Sequence, residues 1–359
     1  MRAIKLAALI FFVAACSKGD GNNSGAASST ASSVGGGADL TGAGATFPYP
    51  IYSKWFSDYA TATGVKINYQ SIGSGGGVRQ ISEETVDFGA SDGPMSDDEL
   101  AKAKGGPILH IPTVLGADVI TYNVPGVTAV LKLTPSVIAD IFMGRIKKWN
   151  DTRIGSLNSG VTLPNQDILV VHRSDGSGTT YIFTDYLDKV SPAWHTSVGK
   201  GKEVKWPVGL GGKGNEGVSG QVKQTPGAVG YVELAYAKQN NLPAALVRNK
   251  SGQYIAASVP AVTAAAAGVA QSLPANTDYR LSIVDAPGAQ SYPISSFTWL
   301  LVYQHQKDAV KGKKLIDFLN WAMTEGEKTA PTLDYAPLPA EMVTSVKAKI
   351  ATIDLAGAK

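Results

Sequence analysis

The stretch VVHRSDGSGTT at residues 170–180 places a fixed cation, two glycines and several hydroxyls within a few positions. It reads as a strand, a tight polar turn and the start of a helix, and that arrangement builds an oxyanion site. Arg173 supplies a permanent positive charge on a planar fork of donors. Gly176 and Gly178 allow a sharp turn and a close approach of backbone to ligand. The helix that follows would aim its unpaired N–H groups and positive dipole end at the turn. Ser177 and Thr179 add hydroxyl donors.

Three more polar segments have this character: TGAGATFP at 41–48, GSGGG at 73–77, and GASDGP at 89–94, which carries an acid. Each has a plain structural alternative. Asp92 could be a helix N-cap. Arg173 could be a surface ion pair with Asp175. Ser177 could be only a cap, and the glycine run only a loop. The four segments nevertheless agree in type and lie in both halves of the chain, which points to a cleft between two lobes.

The elements that must position them alternate strand with helix. Val65 to Tyr69 alternates with period two and predicts a strand, with a helix over 52–59 before it. A short helix is expected from Val78 to Glu84, after the glycine run. Asp87 to Ala90 predicts a strand, and Ser96 to Leu100 caps and starts a helix. Residues 108–122 are strand-rich with an expected break at Pro112-Thr113, and helices are expected over 135–142 and 313–323. Repeated units of this kind indicate an α/β protein with mixed sheets flanked by helices. Ligands in such folds sit where strands end and helices begin.

Residues 1–15 read as a secretion signal, with Arg2 and Lys5 ahead of an apolar core too short to span a bilayer. Val13-Ala14-Ala15-Cys16 resembles a bacterial lipobox, and Cys16 is the sole cysteine, so lipid attachment at Cys16 is expected. Residues 16–39 are rich in Gly, Ser and Ala and read as a flexible tether. The net charge of +3, with no basic run interleaved with aromatics, argues against nucleic acid. Enzymatic readings fit poorly. Around Ser177 the nucleophile-elbow glycines are replaced by Asp175 and Thr179. The four histidines do not group with carboxylates at metal-ligand spacing. Around Gly211 to Gly214 a phosphate loop would need a glycine at Pro207 and a hydroxyl at Gly214.

Six segments, TGAGATFP (41–48), DFGASD (87–92), GRIKKWND (144–151), RSDGSGT (173–179), WPVGLGGKGN (206–215) and PGAVGYV (226–232), occur in one order and spacing. Over residues 40–350 the chain resembles the substrate-binding protein family of the high-affinity bacterial phosphate ABC transporters. The resemblance implies a type II periplasmic-binding-protein-like fold: two α/β lobes joined by crossing strands, with the ligand in the interlobe cleft. The crossings are expected near 111–116 and 291–296. Lobe 1 would then comprise 40–112 plus 293–359, and lobe 2 would comprise 113–292. It implies phosphate contacts from Thr46, the Phe47 N–H, Ser74, Asp92, Arg173, Ser177, the Gly178 N–H and Thr179, with Asp175 holding the Arg173 fork. No cofactor, metal or catalysis is implied. The implied partners are inorganic phosphate and the permease and ATPase subunits of a transporter, met by a lipid-anchored, extracytoplasmic monomer. Two positions depart from the pattern: His172 stands where relatives can carry a permanently charged base, and Gly75 where they often carry serine. Trp149 is expected near the cleft mouth, and the tryptophans in general in core or hinge packing.

Asp92 is the odd member of this set. A carboxylate repels an anion unless the anion brings a proton, and phosphate at neutral pH is protonated whereas sulfate is not. Asp92 is therefore expected to set selectivity and Arg173 to supply the attraction.

Overall fold

The computed structural model describes residues 39–270 and 277–355. The leader, Cys16 and all of the tether before residue 39 lie outside the described residues. Among the described residues, no helix is long and apolar enough to cross a membrane.

Eight strands form one mixed sheet: β1 (Leu40–Gly44), β2 (Ile67–Ser71), β3 (Phe88–Ser91), β4 (Ile108–Tyr122), β5 (Leu169–Arg173), β6 (Leu210–Gly212), β7 (Ala228–Glu233) and β8 (Ser295–Tyr303). Their order is β2-β1-β3-β8-β4-β7-β5-β6. At one side β1 runs parallel to β2 and β3; at the other β5 runs parallel to β6 and β7. The antiparallel centre is β4, which pairs with β8 through Ala117 and with β7 from Asp118 to Tyr122. All 15 residues of β4 are buried. A strand covered on both faces favours apolar side chains, and Ile108 to Tyr122 supplies them at most positions, with His110, Thr113, Asp118 and Thr121 as buried polar exceptions.

The break expected at Pro112-Thr113 is absent, because the ladder absorbs the proline. Trp299 pairs with Pro112 and Thr298 with Val114, so Thr113 is an extra residue in a bulge. A bulge is where a residue without an N–H is tolerated inside a sheet. The Thr113 hydroxyl meets the Tyr52 hydroxyl at 2.7 Å, which ties β4 to the first helix.

Four helices begin at strand ends: α1 (Tyr49–Thr63), α2 (Ser74–Ser82), α3 (Gly178–Val190) and α4 (Gly214–Gln224). In α1, Ile51, Tyr52, Trp55, Phe56 and Tyr59 form the buried stripe expected of a helix on a sheet. Helix α2 corrects the sequence expectation, since it starts at Ser74 and takes in Gly75 to Gly77. Glycines weaken a helix interior, yet a Cβ at Gly77 would lie 2.6 Å from the Gly44 Cα and the Ala90 oxygen. Close packing on β1 and β3 therefore selects glycine over helix propensity. Trp149 also departs from expectation: it is fully buried and donates its indole N–H to the Gly227 oxygen at 2.9 Å.

Candidate functional site

Arg173 is the last residue of β5 and is 4 % exposed. Its N–H donates to the Tyr231 hydroxyl at 3.1 Å, and that hydroxyl also meets Thr180 at 2.6 Å. The Tyr231 ring stacks on Phe183 at 4.5 Å, so the anchor is itself packed into the core. From this base the guanidinium reaches Asp175. Its Nε donates to Oδ1 at 2.8 Å and Nη2 to Oδ2 at 2.5 Å, while Nη1 donates to the Thr179 hydroxyl at 3.2 Å. The Gly214 N–H at the start of α4 donates to the same Asp175 Oδ1 at 3.0 Å. Despite partial burial, the Arg173 hydrogen bonds and charge hold the Asp175 carboxyl below its ordinary range. The alternative of an exposed surface pair is thus set aside: this is a fork locked in one orientation.

The turn after Arg173 places Ser177 as the N-cap of α3, its hydroxyl accepting from the Thr180 N–H at 2.9 Å. The next N–H, of Gly178, donates to the Ser74 Oγ at 3.0 Å. Ser74 opens α2 and also accepts from the Asp92 N–H at 3.3 Å. Beside it, the Gly75 N–H donates to the Gly176 oxygen at 2.8 Å. A Cβ at Gly178 would come within 2.5 Å of both Asp92 Oδ2 and Ser74 Oγ, so only glycine permits this approach.

Asp92 follows β3 and is fully enclosed. It does not cap the next helix; Ser96 does. The Thr298 hydroxyl on β8 donates to Asp92 Oδ1 at 2.8 Å, and Ser74 lies 3.4 Å from Oδ2. Burial pushes the carboxyl up to about 7, against the opposing pull of the Thr298 bond and the Arg173 charge. Two more buried carboxyls, Asp118 and Glu233, sit opposite one another on β4 and β7. Burial raises both well above the ordinary range, which favours their neutral forms.

Thr46 and Phe47 occupy the turn between β1 and α1, both buried. Their carbonyls accept from Tyr236 and Tyr335 respectively, each at 2.6 Å. The Thr46 hydroxyl takes hydrogen bonds from Asn215 on α4. The first N–H groups of α2, α3 and α4 thereby donate to Gly176 O, Ser74, Asp175 and Thr46, which draws the positive dipole ends of three helices together. Next to it, His172 stacks on Trp206 at 4.8 Å, and burial lowers its tendency to take a proton.

A sequence profile described as a PBP superfamily domain matches residues 23–325. A phosphate-binding protein PstS of Pasteurella multocida is 48 % identical over 311 residues, covering 86 % of this chain and 89 % of that protein. The chain belongs to the PstS family. A PstS protein of Methanocaldococcus jannaschii is 42 % identical over 304 residues, 79 % of this chain and 78 % of that one. PstS proteins are binding proteins of a non-catalytic family, and this member is not an enzyme. Among solved structures, a periplasmic phosphate-binding protein (PfluDING) bound with phosphate superposes with a TM-score of 0.69 at 22 % identity, over 86 % of this chain and 93 % of that one. That likeness establishes the two-lobe α/β fold expected from the sequence.

All eight residues expected to contact the ligand lie in this one region. Hydrogen bonds join them in two sets, Ser74 with Asp92 and Gly178, and Thr179 with Arg173 and, through Asn215, Thr46; the sets meet at the Gly178–Thr179 peptide. Ser177 is set beside them as the cap, and Phe47 follows Thr46 in the first turn. Asn215, Thr298, Tyr231 and Tyr236 also bond to these residues, and none of them is among the expected contacts. Asn215 and Tyr231 stood inside quoted segments without a role, and Thr298 sits in an apolar strand with no motif around it.

Proposed function

We propose that this chain binds inorganic phosphate selectively outside the cytoplasmic membrane and delivers it to an ABC-type phosphate permease. The observation that carries the reading is the buried Asp92 carboxyl, an acceptor set among donors: the Thr298 and Ser74 hydroxyls and the Arg173 guanidinium. A site made only of donors suits any small oxyanion. One that adds a hydrogen-bond acceptor suits an oxyanion that still carries a proton. The names of the relatives agree, since each is a phosphate-binding protein. Lipid attachment at Cys16, a monomeric state and hand-over to permease and ATPase subunits are parts of the same reading.

The proposed lobes are residues 40–112 with 293–359, and residues 113–292, with β4 and the chain entering β8 as the crossings. Bonds such as Gly75 N–H to Gly176 O, Gly178 N–H to Ser74, and Tyr236 to Thr46 would then form on closure. Gly178→Ala tests this. Its Cβ meets Asp92 and Ser74 on the opposite lobe, so phosphate affinity should fall about tenfold or more. The melting temperature of the anion-free protein should stay within a few degrees, because the open form accommodates the methyl. Equal affinity in the variant would contradict the closure geometry.

The direct test is calorimetric titration of the anion-stripped protein with phosphate and then sulfate at neutral pH. Tight phosphate binding with no sulfate response is expected. Equal binding of both, or of neither, would overturn the assignment.

A further inference from the structure

We infer that Asn215 is a positioning residue that forces two threonine hydroxyls of the site to act as donors toward the ligand; this rests on the phosphate-binding reading above. Asn215 is the second residue of α4 and is fully buried. Its amide orientation is fixed by chemistry: Oδ1 accepts the Glu233 backbone N–H at 3.0 Å, so the NH2 group must point the other way. There, one amide donates to two oxygens, Thr46 Oγ1 at 2.7 Å and Thr179 Oγ1 at 3.1 Å.

A hydroxyl oxygen has one hydrogen and two lone pairs. Thr46 Oγ1 receives a second donor, the Asn215 backbone N–H, at 3.2 Å. Thr179 Oγ1 receives its second from the Arg173 Nη1 at 3.2 Å. Both oxygens therefore have their lone pairs filled by nitrogen donors. Among the described residues, neither hydroxyl hydrogen is given to a protein acceptor, and each is directed to whatever lies beside the two threonines. A free threonine can present either a donor or an acceptor to its neighbour. These two can present only a donor, and a buried donor pair of this kind recognises unprotonated oxyanion oxygens. Asp92, just past the end of β3, then takes the protonated one. Asn215 thus divides the site into a donor side and an acceptor side.

The measurement is phosphate affinity by calorimetry for the full chain, Asn215→Leu, Thr179→Val and the double variant, with inorganic phosphate as the probe. Removing donors that orient groups toward a charged ligand should weaken binding by about ten- to a hundredfold in Asn215→Leu. If Asn215 acts through the threonines, its replacement should cost several-fold less in the Thr179→Val background than in the parent. Full additivity would assign Asn215 a merely structural role through the Glu233 bond and overturn the inference, as would parent-like affinity in Asn215→Leu. Asn215→Ala serves the same cycle should the leucine variant not fold, alanine being favourable in a helix. A parent that binds no phosphate would instead bring down the functional reading itself, and this inference with it.

Discussion

Arg173→Met should reduce phosphate affinity by at least ~10²- to 10³-fold, the largest effect of any single change in the site. A guanidinium has five N–H donors. Three are engaged by Asp175 and Thr179, which leaves two for an anion together with the permanent charge. Methionine keeps the length and apolar stem of the side chain and removes both. The loss also has a stability component. The Arg173 and Asp175 side chains are 1 % and 13 % exposed, so the carboxylate would keep only the Gly214 N–H and little water. Breaking such a pair costs about 3–5 kcal/mol, and the remaining exposure of Asp175 places this case toward the lower end. The double variant Arg173→Met, Asp175→Asn separates the two effects. Denaturant unfolding should show most of the stability restored, while calorimetry should show phosphate binding still lost. Phosphate binding within tenfold of the parent in Arg173→Met would remove the guanidinium from its role as main attraction.

Several parts of this architecture are legible in the chain because local rules and packing agree. The helix Pro135–Phe142 follows a Thr134 cap and opens on proline, and its bounds match the expectation. The Arg173 turn is likewise local: strand, glycines and cap lie within about ten residues. Where expectation failed, a distant surface overruled a local preference. Glycines at 75–77 suggest a loop until β1 and β3 are laid against Gly77 and the Gly176 turn against Gly75. Pro112 suggests a strand end until the bulge opposite Thr298 is known. Trp149, beside two lysines, suggests the surface, but its N–H partner is Gly227, 78 residues away. The missed site residues share this cause. Asn215 meets Thr46 across 169 positions and Thr298 meets Asp92 across 206. Neither carries a charge; Thr298 lies in an apolar strand with no motif, and Asn215, at the end of the glycine-rich segment 206–215, has its site partners far away in sequence.

Selectivity should turn on Asp92, and Asp92→Asn is expected to narrow the phosphate-over-sulfate preference from a factor of ~10⁴ or more by at least tenfold. The geometry specifies how. Thr298 donates to one carboxyl oxygen, and an amide oxygen can keep that bond. The other position, near Ser74 and the Gly178 N–H, would then hold an NH2 group in place of an acceptor. A fully ionised oxyanion that faced a carboxylate now faces a donor, while the P–OH group of phosphate loses its acceptor. Sulfate should therefore gain and phosphate should lose. Acid should imitate the mutation. Because burial pushes Asp92 up to about 7, the carboxyl becomes a donor as pH falls through that value, and sulfate binding by the parent should rise between pH 8 and pH 5. The Asn variant has no proton to gain at this position, so its sulfate affinity should stay nearly flat over the same range. Calorimetry with both anions at three pH values checks every part. Unchanged selectivity in Asp92→Asn, or a parallel pH response in parent and variant, would take Asp92 out of the discrimination and leave donor geometry alone to account for it.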